Sequence, residues 1–187
     1  YLSVCVCYVI RFFCIINISN SLLMNFPILS SLILLPTIGA CFLFFSNDKD
    51  HKKTNTIKYV ALFTSFVNFL ISIYLWYLFD ASISSFQFIE EKEWIKGFVN
   101  YKVGIDGISI LFIILTTFIS VLCIISVNNS IKSRLRDFLI AILVMESFMI
   151  GVFCSLDLFV FYLFFEAGLI PMFLIIGIWG GSRRIYS

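Results

Sequence analysis

Two acids, Glu146 and Glu166, stand in stretches that otherwise carry almost no charge. Residues 161–172 read FYLFFEAGLIPM and residues 142–154 read ILVMESFMIGVFC. A charged side chain at the centre of a bilayer costs on the order of 3 kcal/mol. A single hydrogen bond returns about 1 kcal/mol. Each acid is therefore expected to face protein or an internal water path and not lipid. Loss of water favours the neutral carboxyl, and a nearby cation favours the charged one. A group held between those influences can take up and release a proton as its partner moves, which is what a proton relay requires. The plainer reading is a structural one, in which the carboxyls only fasten helix to helix.

Other reactive side chains offer less. The cysteines at 5, 7, 14, 41, 123 and 154 all fall in apolar stretches without CxxC spacing, so they read as small buried hydrophobes. His51 stands alone in a charged loop and is a poor ligand candidate. No metal site is expected, and no redox cofactor held by this chain.

The elements that must position the acids follow from composition. The chain is 61% hydrophobic and 13% charged, with 23 Phe among 187 residues and a mean hydropathy of +1.05. A soluble domain of this size would leave much of that surface in water, so the reading is an all-α, polytopic transmembrane helix bundle. A net charge of +2 is too small to suggest a nucleic-acid partner. Five segments reach the roughly 20 residues a bilayer demands: Phe26 to Ser46, Ile57 to Phe79, Gly107 to Val127, Phe138 to Cys154 and Leu158 to Trp179. Each should be helical, because backbone groups in lipid must bond within their own segment.

The connections carry basic residues unevenly. NDKDHKKTNTIK (47–58), NNSIKSRLRD (128–137) and GGSRRIYS (180–187) hold nine Lys and Arg, against three between Asp80 and Asp106 and none in the turn SLD (155–157). The first group is thus expected on the cytoplasmic or matrix side. Trp76, Tyr77 and Trp179 lie near span ends, as an interfacial belt would place them. FIEEKEWIKGF (88–98) reads either as a short helix on the outer surface or as an irregular loop. Asp106 and Asp157 stand where N-caps of the third and fifth spans belong. Residues 1–23 are broken by Arg11 and end in NISNS, and Met24 opens a cleaner apolar pattern. The expectation is that 1–23 are an upstream or non-native extension and that 24–187 form the membrane domain.

The fourth and fifth spans are joined by almost no loop, so they should form an antiparallel hairpin centred near Leu156. Glu146 and Glu166 lie ten residues to either side of that centre. At about 1.5 Å per residue, both sit roughly 15 Å below the outer surface, near the middle of a core about 30 Å thick. Pro171 cannot donate to the carbonyl of Ala167, which weakens the helix one turn past Glu166. Gly168 leaves room for close helix approach or for water.

FPILSSLILLPTIGA (26–40), GIDGISILFIILTTF (104–118) and MESFMIGVFCSLDLFVFYLFFEAGLIPMFLIIGIWGG (145–181) together resemble one family. It is chain M of the bacterial NADH-quinone oxidoreductase, called chain 4 in mitochondria. The resemblance runs from about Met24 to the end and is most specific in 145–181. It implies an antiporter-like, proton-translocating subunit of the membrane arm of respiratory complex I, in a bacterial inner membrane or the mitochondrial inner membrane. Glu166 corresponds to the family's key membrane glutamate on its fifth helix, and Glu146 holds the matching acid position on the preceding helix. NAD, FMN, iron–sulfur clusters and quinone would be bound by other subunits. The partners implied are the other membrane-arm subunits, the lipid bilayer and protons. Family members run several hundred residues further and supply buried lysines, whereas no lysine lies within these five spans, Lys58 being at a border. The sequence is therefore expected to be an N-terminal fragment, inactive alone. Two other readings keep the same spans: a subunit of a multi-chain sodium/proton antiporter, and a purely structural membrane scaffold.

Overall fold

The computed structural model describes residues 27–45, 51–82, 85–95, 99–130 and 134–180. Residues 1–23 and Met24, Cys5, Cys7 and Cys14, and Arg183 and Arg184 lie outside the described residues. Among the described residues there are five helices, α1 (Ile28–Phe45), α2 (His51–Leu78), α3 (Gly107–Ser130), α4 (Leu135–Cys154) and α5 (Leu158–Trp179). All five are long and apolar enough to cross a bilayer. The expected spans hold to within a few residues. The chief shift is at α2, which begins at His51, so that His51 opens a helix and does not lie in a loop.

A correction concerns residues 88–98. Between α2 and α3 the chain forms an antiparallel hairpin, β1 (Gln87–Ile95) and β2 (Val99–Ile105), where a surface helix or irregular loop was expected. The reason is legible in β2, VNYKVGI, whose alternate residues Tyr101, Val103 and Ile105 are all buried. That period of two belongs to a strand with one covered face. Across the pair, Glu91 stands opposite Lys102 and bridges it at 3.3 Å. Burial pushes the Tyr101 phenol well above the usual tyrosine range.

The hairpin ties together the helix ends beneath it. Leu156 N–H donates to the Lys102 carbonyl at 3.0 Å, which joins β2 to the α4–α5 turn. Glu90 reaches the start of α1: its carboxylate accepts from Leu29 N–H at 2.9 Å and from Ser30 N–H at 3.2 Å. It also accepts from the Ser30 hydroxyl. The unpaired N–H groups of a helix start are thus satisfied by an acid sixty residues away in sequence, on the end where the helix dipole favours negative charge. The expected caps are also in place. Asp106 accepts from Ile108 N–H at 2.8 Å, and Asp157 from Phe159 N–H at 2.7 Å.

Within the bundle, α4 packs against every other helix and is the most enclosed of the five, while α5 is the least. The Ser147 hydroxyl donates to the Ile33 carbonyl of α1 at 2.5 Å. The α4–α5 hairpin has its close approach at Gly151, while Gly168, expected to leave room for close helix approach or for water, is less tightly packed. A Cβ on Gly151 would lie 2.7 Å from the Phe164 ring, whereas one on Gly168 would meet only Phe148 at an ordinary 3.7 Å. The cysteine reading holds for Cys154, which is buried. Cys41 is half-buried, and Cys123 is exposed on the bundle surface.

Candidate functional site

Glu146 is 2% exposed. Its partners come from the two helices that flank α4 on one side. Asn68 of α2 donates through Nδ2 to Glu146 Oε1 at 2.8 Å. Ser65, one turn earlier on α2, donates to Oε2 at 3.3 Å. The Ser65 hydroxyl also pairs with that of Ser120 on α3 at 3.0 Å. One turn beyond Asn68, the Ser72 hydroxyl pairs with Thr117 Oγ1 at 2.9 Å. Ser65, Asn68, Ser72, Thr117 and Ser120 are all buried.

The spacing explains why these groups meet. Positions 65, 68 and 72 follow the three- and four-residue steps of one helix face, and 117 and 120 lie three apart on α3. Two apolar helices therefore present polar stripes to each other, and α4 inserts its acid between them. Small hydroxyl side chains permit this close approach and satisfy one another inside it. An enclosed carboxylate without partners would be far costlier than the hydrogen bonds it gains here.

A cavity of about 200 Å³ opens between α3 and α4 beside this cluster. Its polar lining is Thr116, Ser120 and Glu146, and its walls include Ile119, Met145 and Met149. Most of its lining surface is apolar.

Glu166 stands in a different setting. It lies on the exposed face of α5, and its hydrogen-bond partner is Tyr162 on the same helix, whose hydroxyl donates at 2.5 Å. The two acids remain at similar depth, because α4 and α5 are antiparallel about the 155–157 turn, but the described residues do not bring them together. Helix geometry accounts for this. At about 100° per residue, Phe148 is about 200° round α4 from Glu146, and Phe164 is about 200° round α5 from Glu166. Phe148 and Phe164 are the residues that meet across the hairpin, with ring centroids 6.4 Å apart. Both acids consequently point away from the α4–α5 interface. Glu146 points into protein, and Glu166 points out of the described bundle. The expectation that both face protein is met by Glu146 within the described residues, and Glu166 would need a covering surface.

Ser65, Asn68, Ser72, Thr117 and Ser120 were missed from sequence. The signal was present in FTSFVNFLIS (63–72) and TTFIS (116–120), where polar residues break apolar spans at helical spacing.

No protein-family model matches the chain. Curated relatives do. NADH-quinone oxidoreductase subunit M of Rickettsia conorii is 44% identical over 168 residues, covering 88% of this chain and 34% of the relative. The subunit M of Rhodobacter capsulatus is 55% identical over 130 residues, 70% of this chain and 25% of that protein. NADH-ubiquinone oxidoreductase chain 4 of Marchantia polymorpha is 43% identical over 157 residues, 83% of this chain and 31% of that protein. The chain is a homologue of these subunits. It spans about one third of the length of the Rickettsia and Marchantia relatives and a quarter of the Rhodobacter one.

Proposed function

We propose that the protein to which this chain belongs is a proton-translocating membrane subunit of an NADH-quinone oxidoreductase, embedded in a bacterial inner membrane or the mitochondrial inner membrane. In this reading it assembles with the other membrane-arm subunits of respiratory complex I. NADH, FMN, iron–sulfur clusters and quinone belong to those other subunits, and this chain contributes no redox centre. Its task is to couple electron transfer elsewhere to the movement of protons past Glu146 and Glu166.

The observation that carries the reading is identity of 43–55% to subunits with these names over most of the chain. The buried carboxyl of Glu146, held by neutral donors in the middle of a membrane helix, supports it physically. Those donors can stabilise a charged carboxylate, and the Ser65 hydroxyl, which both donates and accepts, can also pass a proton on. Glu166 adds an argument of its own. An acid exposed at mid-depth on a membrane helix would cost on the order of 3 kcal/mol against lipid. Further protein covering the outer face of α5, with a cationic partner for Glu166, removes that cost and supplies the second half of the relay.

The test is Glu166→Gln in a full-length relative within the intact complex. Removing a proton-transferring carboxyl is expected to slow coupled proton translocation by about 100-fold, with NADH-binding and flavin reduction intact. An unchanged proton-to-electron ratio at normal turnover would overturn the assignment.

A further inference from the structure

Asn68 is fully enclosed and uses only half of its side chain. Its Nδ2 donates to Glu146 at 2.8 Å, while its Oδ1 accepts no hydrogen bond from any described residue. Buried amide oxygens are almost always paired, to protein or to ordered water. Turning the amide over does not close the gap. It would set Oδ1 against the carboxyl and leave Nδ2 as the group in want of a partner. A free Oδ1 calls for a donor and a free Nδ2 for an acceptor, and a water can serve as either.

The position of that free end matters. Asn68 lies between two hydroxyl pairs on the α2–α3 seam. Ser65–Ser120 is one turn before it and Ser72–Thr117 one turn after. The first pair already connects to Glu146 through Ser65. The second pair is separated from Glu146 by one missing link, at the level of Asn68. Residues 65 and 72 both share the helix face of Asn68, so a small group bound at Asn68 Oδ1 has a hydroxyl pair one turn away on either side.

We propose that Asn68 anchors a water molecule that joins the Glu146 site to the Ser72–Thr117 hydroxyl pair, making the α2–α3 seam a continuous proton-conducting chain separate from Glu166. The chemistry is that of a buried water with about three polar partners. It donates to Asn68 Oδ1 and exchanges hydrogen bonds with the hydroxyls above. A proton leaving Glu146 can then be passed along the seam, each oxygen taking up one proton as it gives up another. The cavity between α3 and α4 reaches the same chain at Ser120 and Glu146. The water site stands on the seam's geometry alone, and its part in pumping rests on the function proposed above.

The experiment uses the intact complex with its full-length subunit, at a resolution that shows ordered solvent, together with proton-to-electron ratios. Density for a water within hydrogen-bond reach of Asn68 in the wild type, lost in Asn68→Leu, is the expected result. A dry seam, or a protein donor on the Asn68 amide oxygen, would overturn the proposal. Thr117→Val keeps the shape of the side chain and removes the hydroxyl. It is expected to slow coupled translocation by about tenfold, the rate equivalent of one hydrogen bond, and Thr117→Ser is expected to restore it. A water present in the map with full pumping in Thr117→Val would make it a packing water and sink the relay. If Glu166→Gln leaves pumping intact, the broader function fails, and the density at Asn68 still decides the water site.

Discussion

At the scale of single residues, the bundle is organised by acids whose partners lie far along the chain. Glu90 is the plainest case. Nothing in QFIEEKEWI marks it as different from Glu91 or Glu93, yet it accepts three hydrogen bonds from Leu29 and Ser30 at the start of α1. Glu91 meanwhile faces Lys102 across the hairpin, with both side chains substantially in water. The two neighbours should behave differently on substitution. Glu90→Ala is expected to cost about 1–2 kcal/mol, the usual loss for a helix cap with a dipole contribution. Glu91→Ala should cost well under 1 kcal/mol, as exposed ion pairs do. Thermal unfolding of the two variants in detergent or nanodiscs measures the difference. Equal losses would show that the α1 cap does not depend on Glu90.

At the scale of elements, the α4–α5 hairpin sets the geometry of the site. Its closest approach is Gly151 against the buried ring of Phe164, where an added Cβ would come within 2.7 Å. Gly151→Ala should therefore force the helices apart or displace the ring, at about 1–3 kcal/mol. Gly168→Ala should be nearly neutral, because its Cβ would meet only an ordinary contact at 3.7 Å. Comparing the unfolding midpoints of these two variants tests the packing. The sequence placed the acids at one depth by counting residues from Leu156, and that much survives. It could not say which way they point. Phe148, Gly151 and Phe164 look no more like interface residues than their neighbours until the two helices are docked. Once they are docked, the 3.6-residue period carries both acids to the far sides.

At the scale of the whole molecule, the described basic residues Lys58, Arg134 and Arg136 lie toward the starts of α2 and α4, at the ends opposite the β-hairpin and the 155–157 turn. With the positive-inside rule, the hairpin belongs on the outer face. A cysteine at Lys92 on β1 should therefore react with an impermeant thiol reagent from outside sealed right-side-out membranes. One at Asn55, at the start of α2, should stay protected until the membrane is opened. Both positions are exposed, so the reverse pattern would overturn the orientation.

What the sequence alone determined was the membrane frame: five apolar helices, their approximate bounds, the caps at Asp106 and Asp157, and two acids at similar depth. Those features follow from local chemistry, namely segment length, apolar content and the four unpaired N–H groups at each helix start. The tertiary structure decided which face of each helix is inside. It turned Glu146 toward Ser65, Asn68 and Ser120, left Glu166 on the outer face of α5, and set Glu90 on the end of α1. The physical reason is that a span apolar all round carries little periodic signal. With lipid and core equally oily, side-chain hydrophobicity does not choose a face. The choice falls to glycine clefts, ring packing and a few hydrogen bonds between residues distant in the chain.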